Sequence, residues 1–289
     1  MAHKGTSKRK RNTPMQEVWR RLKRNKLAMA GLFVLVVIVI CALLAPWIIP
    51  YDYAEQNYEE KLLFPSRKHW FGTDNFGRDI FSRVLYGSRY TLFIGVVVTG
   101  SAAIIGSWLG LLAGYYPMLD NIIMRGIDIF MGLPPMCFCL SLIAALGSNM
   151  RNMIIALIAT SIAAFARIMR AQVLIIKEQE YIEAARSVGA SNLRIMVKHI
   201  LPNAFAPILV QITLCMVRAI LMSASLSFIG MGVQPPTPEW GLMISAGRAF
   251  LRDYWYMCIL PGLAIVVTTF ALNLLGDGLR DALDPRLKQ

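Results

Sequence analysis

The chain has 289 residues, of which 56% are hydrophobic and 16% charged, yet it carries a net charge of +13. Soluble domains average about 25% charged residues, so too little polar surface remains to coat a core of this size, and the mean hydropathy is +0.52. A disordered tail, a collagen-like chain and a small disulfide scaffold are excluded, an ordinary soluble enzyme is disfavoured, and an all-α polytopic membrane protein is the natural reading.

Residues 1–27 form a basic tail of ten cationic side chains against Glu17, net +9. Trp19 is its single aromatic residue and the tail has no fold of its own, which argues against nucleic-acid binding. The cationic segment is too long, and the apolar run behind it too extended, for a cleaved signal peptide. The first membrane helix is placed at 28–49 and is followed by a loop at 50–87. That loop is neutral: from residue 50 to 89, six basic residues face six acidic ones.

A transport-sized core at 88–277 holds five further helices. Tyr90 to Leu119 is charge-free, and Gly106, Gly110 and Gly114 form a tandem small-residue repeat on one face of it, suited to close helix packing. Ile129 to Met150 is the third span, bent by Leu133-Pro134-Pro135 near its cytoplasmic half. The short fourth run, Asn152 to Ala166, continues past Arg167 if that side chain snorkels. Phe205 to Met231 is apolar except for Arg218, and Tyr254 to Gly276 is charge-free. A tail at 278–289 closes the chain. Six spans put both ends on one side. The net +3 of residues 167–204, the tail's +9 and the neutral loops at 50–89 and 232–253 assign both termini to the cytoplasm.

Recognisable chemistry is sparse. Cys41, Cys137, Cys139, Cys215 and Cys258 all sit in apolar runs, with no CxxC pair, and read as small packing residues. No Gly-Lys dipeptide occurs, so there is no phosphate-binding loop. His3, His69 and His199 lie far apart, no GxSxG is present, and no metal-ligand cluster is visible. Few ionisable groups enter the spans, which weakens a proton-relay mechanism. Such a chain needs an external engine.

The stretch from Tyr181 to Pro202 reads as two short cytoplasmic helices. The first runs from about Glu178 to Val188 and is broken by Gly189, where φ turns positive. Ser191 caps the second, and Pro202 opens the fifth span. Ala184 and Ala185 make a bare ridge beside Glu183. From the residues alone, this is a surface-lying connector or a knob for another protein's groove.

The sequence of that stretch is similar to the EAA signature of ABC-importer permeases, in Glu183, Ala184, Ala185, Gly189 and Leu201-Pro202. His199 departs from the aliphatic residue common two places before Leu-Pro. Three further segments extend the resemblance from about residue 15 to the end: Phe71-Gly-Thr-Asp-Asn-Phe-Gly-Arg-Asp-Ile-Phe-Ser-Arg83, Phe228 to Gly241, and Asn273 to Pro285. They resemble the "C" permease of the dipeptide, oligopeptide and nickel importer group.

The resemblance implies a type I importer fold and a coupling segment at 177–202. It also implies a bacterial inner-membrane location and four kinds of neighbour: a homologous second permease, two ATPase subunits, an extracytoplasmic binding protein and membrane lipid. ATP and Mg²⁺ would sit on the ATPases, and this chain would bind no cofactor and catalyse nothing. Peptides are the expected cargo, with nickel or a metal–chelator complex as the alternative. An ATP-independent transporter or channel and a membrane scaffold are the competing classes. Arg218 lies outside the motifs. Near mid-span it either lines the path, pairs with a group in the assembly, or snorkels to lipid.

Overall fold

A computed structural model describes residues 19–283, and among them the regular structure is helical throughout. Helix α1 spans Lys26–Ile48, with the Asn25 side chain accepting the Ala28 N–H at its start. Helix α2 spans Ile80–Tyr115. At 1.5 Å per residue its 36 residues reach about 54 Å, beyond the roughly 30 Å hydrocarbon core. It begins ten residues before the charge-free stretch at Tyr90, because Asp79 caps it. The Asp79 carboxylate accepts from the Ser82 N–H at 2.7 Å and the Ser82 hydroxyl at 2.8 Å.

The expected third span is two helices, α3 at Pro117–Met131 and α4 at Pro135–Leu146, bent by 88°. Pro134 and Pro135 lack the N–H groups that would continue α3, so the helix stops and restarts. Helix α5, Met150–Ile176, runs ten residues past Ala166. Arg167 does not snorkel. It pairs with Asp128 of α3.

Helix α6 is Glu180–Ser187. Helix α7 runs unbroken over Asn192–Phe228, so Pro202 lies inside a continuous helix rather than opening one. A π turn at Ile195–Ile200 accommodates it, with the Leu201 N–H bonding Met196 O five residues back. Helix α8 is Trp240–Gly247 and α9 is Tyr256–Leu283. Among the described residues, α1, α2, α5, α7 and α9 are long and apolar enough to cross a membrane, and α3 with α4 makes a sixth if counted as one bent span.

Helix α2 packs along α5, α7 and α1, while α9 packs against α1, α7 and α8. The glycine repeat sets the contact between α2 and α5. A Cβ added at Gly106 would sit 2.6 Å from Ile162 O, at Gly110 2.2 Å from Ala166 O, and at Gly114 2.7 Å from Val173 Cβ. The α2 and α5 backbones therefore touch where any side chain would separate them.

The two membrane faces differ. One carries the segments 49–79 and 229–255, folded into a polar lid. The other carries 177–191 together with both described ends, where Leu22, Ala28 and Ala282 cluster. The lid is held by buried charge. Asp74 accepts from the Arg78 N–H and Nε. Arg83 Nη1 donates to Tyr53 O at 2.7 Å, and His69 bridges Asp79 and Glu60 at 2.9 and 3.2 Å. Lys68 and His69 hold the Glu60 carboxyl below its ordinary range.

Candidate functional site

Residues 177–191 link α5 to α7 as a short arm. Within α6, Ile182 alone is buried, and it is fully enclosed by the cluster that includes Leu111, Tyr115, Phe165, Met169, Val173, Ile195 and Ile200. One apolar peg thus moors the helix to α2, α5 and α7 at once. Polar ties supplement it. The Tyr115 hydroxyl donates to Asn192 Oδ1 at 2.7 Å, Lys177 Nζ donates to Gly114 O at 3.3 Å, and the Arg186 guanidinium lies 5.6 Å from the Tyr115 ring. Asn203 Nδ2 donates to His199 O at 2.6 Å and reaches the Tyr181 hydroxyl at 3.4 Å.

The arm's turn follows from local chemistry. Gly189 has φ +77°, a left-handed conformation that L side chains avoid. It lets the Ala190 N–H close back onto Ala185 O at 3.0 Å. Ser191 Oγ then accepts the Arg194 N–H at 3.4 Å at the start of α7.

The outer face of the arm is free in this chain. Glu183 and Ala184 are exposed and Ala185 is half-buried. Beside them stand two apolar side chains that sequence reasoning passed over, Val188 at 85% exposure and Leu193 at 62%. The signal was present, since both flank the Gly189 turn, where nothing covers them. Small alanines with projecting Val188 and Leu193 form a compact apolar knob rimmed by Glu183, Arg186 and Arg194. At the base of the arm, Leu201 is half-buried and Pro202 exposed, so these two belong to the stalk and not to the knob.

Charge in this region is placed differently from the sequence expectation. Arg167 and Arg170 lie within α5 and not in the loop. Each pairs with an aspartate on α3, Arg167 with Asp128 and Arg170 in bidentate fashion with Asp120 at 2.5 and 2.6 Å. Residues 177–191 keep Lys177 and Arg186 against Glu178, Glu180 and Glu183, one negative charge in excess.

Arg218 lies apart from the arm. It is exposed on α7 between buried Val217 and Ala219, on a stripe with Leu214, Leu221 and Ser225. Among the described residues no hydrogen bond or ion pair reaches it. On the lid, Glu239 is fully buried as the N-cap of α8, where Oε2 accepts the Leu242 N–H at 2.9 Å. Burial raises its carboxyl above the ordinary range, and Oε1 lacks a bonded partner. Among the described residues no group of three or more His, Cys, Asp or Glu side chains could hold a metal ion.

Two family models match the chain. The binding-protein-dependent transport system inner membrane component matches residues 103–289, and the N-terminal membrane domain of oligopeptide transport permease C matches 13–65. A dipeptide transport system permease of Alkalihalophilus pseudofirmus is 43% identical over 96% of this chain and 91% of its own. A glutathione transport system permease of Escherichia coli is 46% identical over 96% and 92%. Among solved structures, an inward-facing methionine ABC transporter superposes with a TM-score of 0.59 at 19% identity, over 71% of this chain and 98% of that one. An amino acid ABC transporter gives 0.54 at 20% identity, over 70% and 94%. These structures share the fold of the chain.

Proposed function

The chain belongs to the family of binding-protein-dependent inner-membrane permeases, and from that premise we propose that it is the C-type subunit of an ATP-driven importer of peptides. Peptide cargo is supported by the dipeptide and glutathione permeases that resemble it along nearly their whole length. The chain works with a homologous second permease, two ATPase subunits that carry ATP and Mg²⁺, and an extracytoplasmic binding protein. It moves substrate and makes or breaks no covalent bond.

The observation that carries this reading is the moored knob. A surface that receives force must be exposed, and its attachment must be stiff. Ala184, Val188 and Leu193 supply the exposed part, and Ile182 inside the α2–α5–α7 cluster supplies the attachment. When ATP closes the two ATPases, their grooves move the knobs of both permeases. The motion passes through Ile182 and Tyr115 into the α2–α5 pair. The pair turns as one body, because glycine contacts leave no slack between its helices. The permease pair then opens toward the binding protein, and hydrolysis returns it to the inward-facing state.

The orientation follows from the basic tail, since residues 1–27 carry +9 and stay with the cytoplasm. The arm shares that face, and the lid meets the binding protein. Single cysteines introduced at Asn57 and Thr237 test this arrangement. Both should react with an impermeant thiol reagent in intact cells, or in spheroplasts where an outer membrane intervenes. Labelling only after the cytoplasmic membrane is permeabilised would reverse the topology. The transport reading is tested separately by uptake of a labelled dipeptide into vesicles carrying the complete transporter. Uptake that persists after ATP depletion would replace it with a secondary transporter.

A further inference from the structure

A cavity of about 380 Å³ opens between α1, α2 and α9 under the lid. Val37 and Cys41 form one wall, Val84 and Ser88 a second, and Ala264 and Thr268 a third, with Trp240 closing one end. Its few polar atoms are already engaged. The Ser88 hydroxyl donates to Leu85 O at 2.6 Å, the Thr268 hydroxyl to Ala264 O at 2.7 Å, and the Trp240 indole N–H to Val84 O at 2.9 Å. A water molecule would find no partners there, and a polar solute would lose its own hydration for nothing.

Depth identifies the occupant. At 1.5 Å per residue the 23 residues of α1 reach about 34 Å, so Val37, about 16 Å from the Ile48 end, lies near the midplane, whereas Ser88 on α2 adjoins exposed Arg89 and lies at the lid-side boundary. The cavity therefore runs from the lid boundary to the midplane, the thickness of one leaflet of a roughly 30 Å hydrocarbon core. At its outer end Trp70, 62% exposed, packs on the cavity residue Phe81 with ring centroids 4.8 Å apart. Trp in such a position marks the headgroup level. Arg67, three positions before Trp70 in the sequence, is exposed, and among the described residues no ion pair reaches it. A phosphate suits that guanidinium. The described ends of the chain lie on the opposite face.

We infer that this cavity is a binding site for one phospholipid of the lid-side leaflet, with an acyl chain between α1, α2 and α9 and its phosphate at Arg67, at the level that the aromatic ring at position 70 marks. The lipid fills the wedge that separates the leading helix α1 from the transport core.

Two measurements test this. In the first, five of the six tryptophans (Trp19, Trp47, Trp70, Trp108 and Trp255) are replaced by Phe. The full chain, with Trp240 as its sole fluorophore, is placed in vesicles of phosphatidylethanolamine and phosphatidylglycerol brominated along the acyl chains. Trp240 is 2% exposed, yet its emission should fall. The loss should vanish when Ala264→Phe or Ser88→Leu fills the cavity. An unquenched Trp240 would overturn the site if a chain keeping only Trp47, 80% exposed, is quenched, since the cavity is then empty or filled by protein. Equal quenching in the filled variants would also overturn it, because the signal then comes from bulk lipid. The second measurement needs no variant. The unaltered chain, exhaustively washed in detergent, should retain one phospholipid per chain in native mass spectrometry, and retention of none would overturn the site.

Discussion

Ile182 offers the sharpest test of how the arm is coupled. It is the one buried residue of α6 and has no solvent exposure. Truncating a fully buried isoleucine to alanine costs about 2–5 kcal/mol. Here the loss falls on one local contact, because the rest of α6 is exposed or half-buried and gains little from docking. The expected outcome of Ile182→Ala is therefore local undocking of the arm with the bundle intact. At about 1.36 kcal/mol per decade, the undocked population rises roughly thirty-fold to several thousand-fold. Hydrogen exchange of the amides at 181–190 should accelerate by that range, while the amides at 106–114 in the α2–α5 contact stay protected. In the assembled transporter ATP hydrolysis should continue and uptake per ATP should fall. Ile182→Leu keeps the volume and should cost less than about 1.5 kcal/mol. Unchanged exchange at 181–190 in Ile182→Ala would refute the claim that this side chain moors the arm.

Other outcomes follow from the same geometry. Ala184→Trp should leave membrane insertion intact, abolish dipeptide uptake and weaken co-purification of the ATPase subunits; normal uptake would count against the knob. Gly110→Ala forces a Cβ to within 2.2 Å of Ala166 O and should destabilise the chain by about 1–3 kcal/mol in thermal unfolding. Gly100→Ala on the same helix has nothing within 4 Å and should be neutral or stabilising by up to about 1 kcal/mol, so similar effects at the two sites would contradict the packing. Arg218→Gln should leave assembly and basal ATPase unchanged and lower the uptake of peptides with a free carboxylate. Uptake at the wild-type rate would remove Arg218 from the path, and failure to assemble would make it a structural pair.

Much of this architecture is legible in the sequence. Long apolar runs, charge-free but for Arg218 in α7, locate α1, α2, α5, α7 and α9, because a helix that crosses lipid needs about 20 mostly apolar residues. The glycine triplet and the Gly189 turn are equally visible, since each rests on a constraint within one helix or turn. What escapes the sequence depends on distant residues. The ten extra residues at the start of α2 carry Arg83, and its burial makes sense only once Tyr53 O, thirty positions earlier, lies 2.7 Å away. The Asp120–Arg170 pair joins residues fifty positions apart, so Arg170 reads as a loop charge until α3 is folded against α5. The two prolines announce a bend, but hydropathy is blind to direction, and a broken pair at 88° has the same composition as a straight span.

The handling of charge within the spans bears on Arg218. At about 1.5 Å per residue, Arg167 lies about 14 Å from the end of α5 and Arg218 about 15 Å from the end of α7. A guanidinium at such depth costs at least about 2.5–3.5 kcal/mol on insertion scales. For Arg167 the chain supplies Asp128. For Arg218 it supplies nothing among the described residues, and the flanking Leu214 and Leu221 offer no acceptor. Lipid exposure with snorkelling would have to carry the side chain past more than two helical turns, farther than an arginine reaches. Stabilisation from beyond the described residues can come from a water-filled path, an anionic cargo group or the second permease. The first two make Arg218 a filter that favours substrates with a carboxylate. The third makes it an assembly contact, and Arg218→Gln separates the two cases.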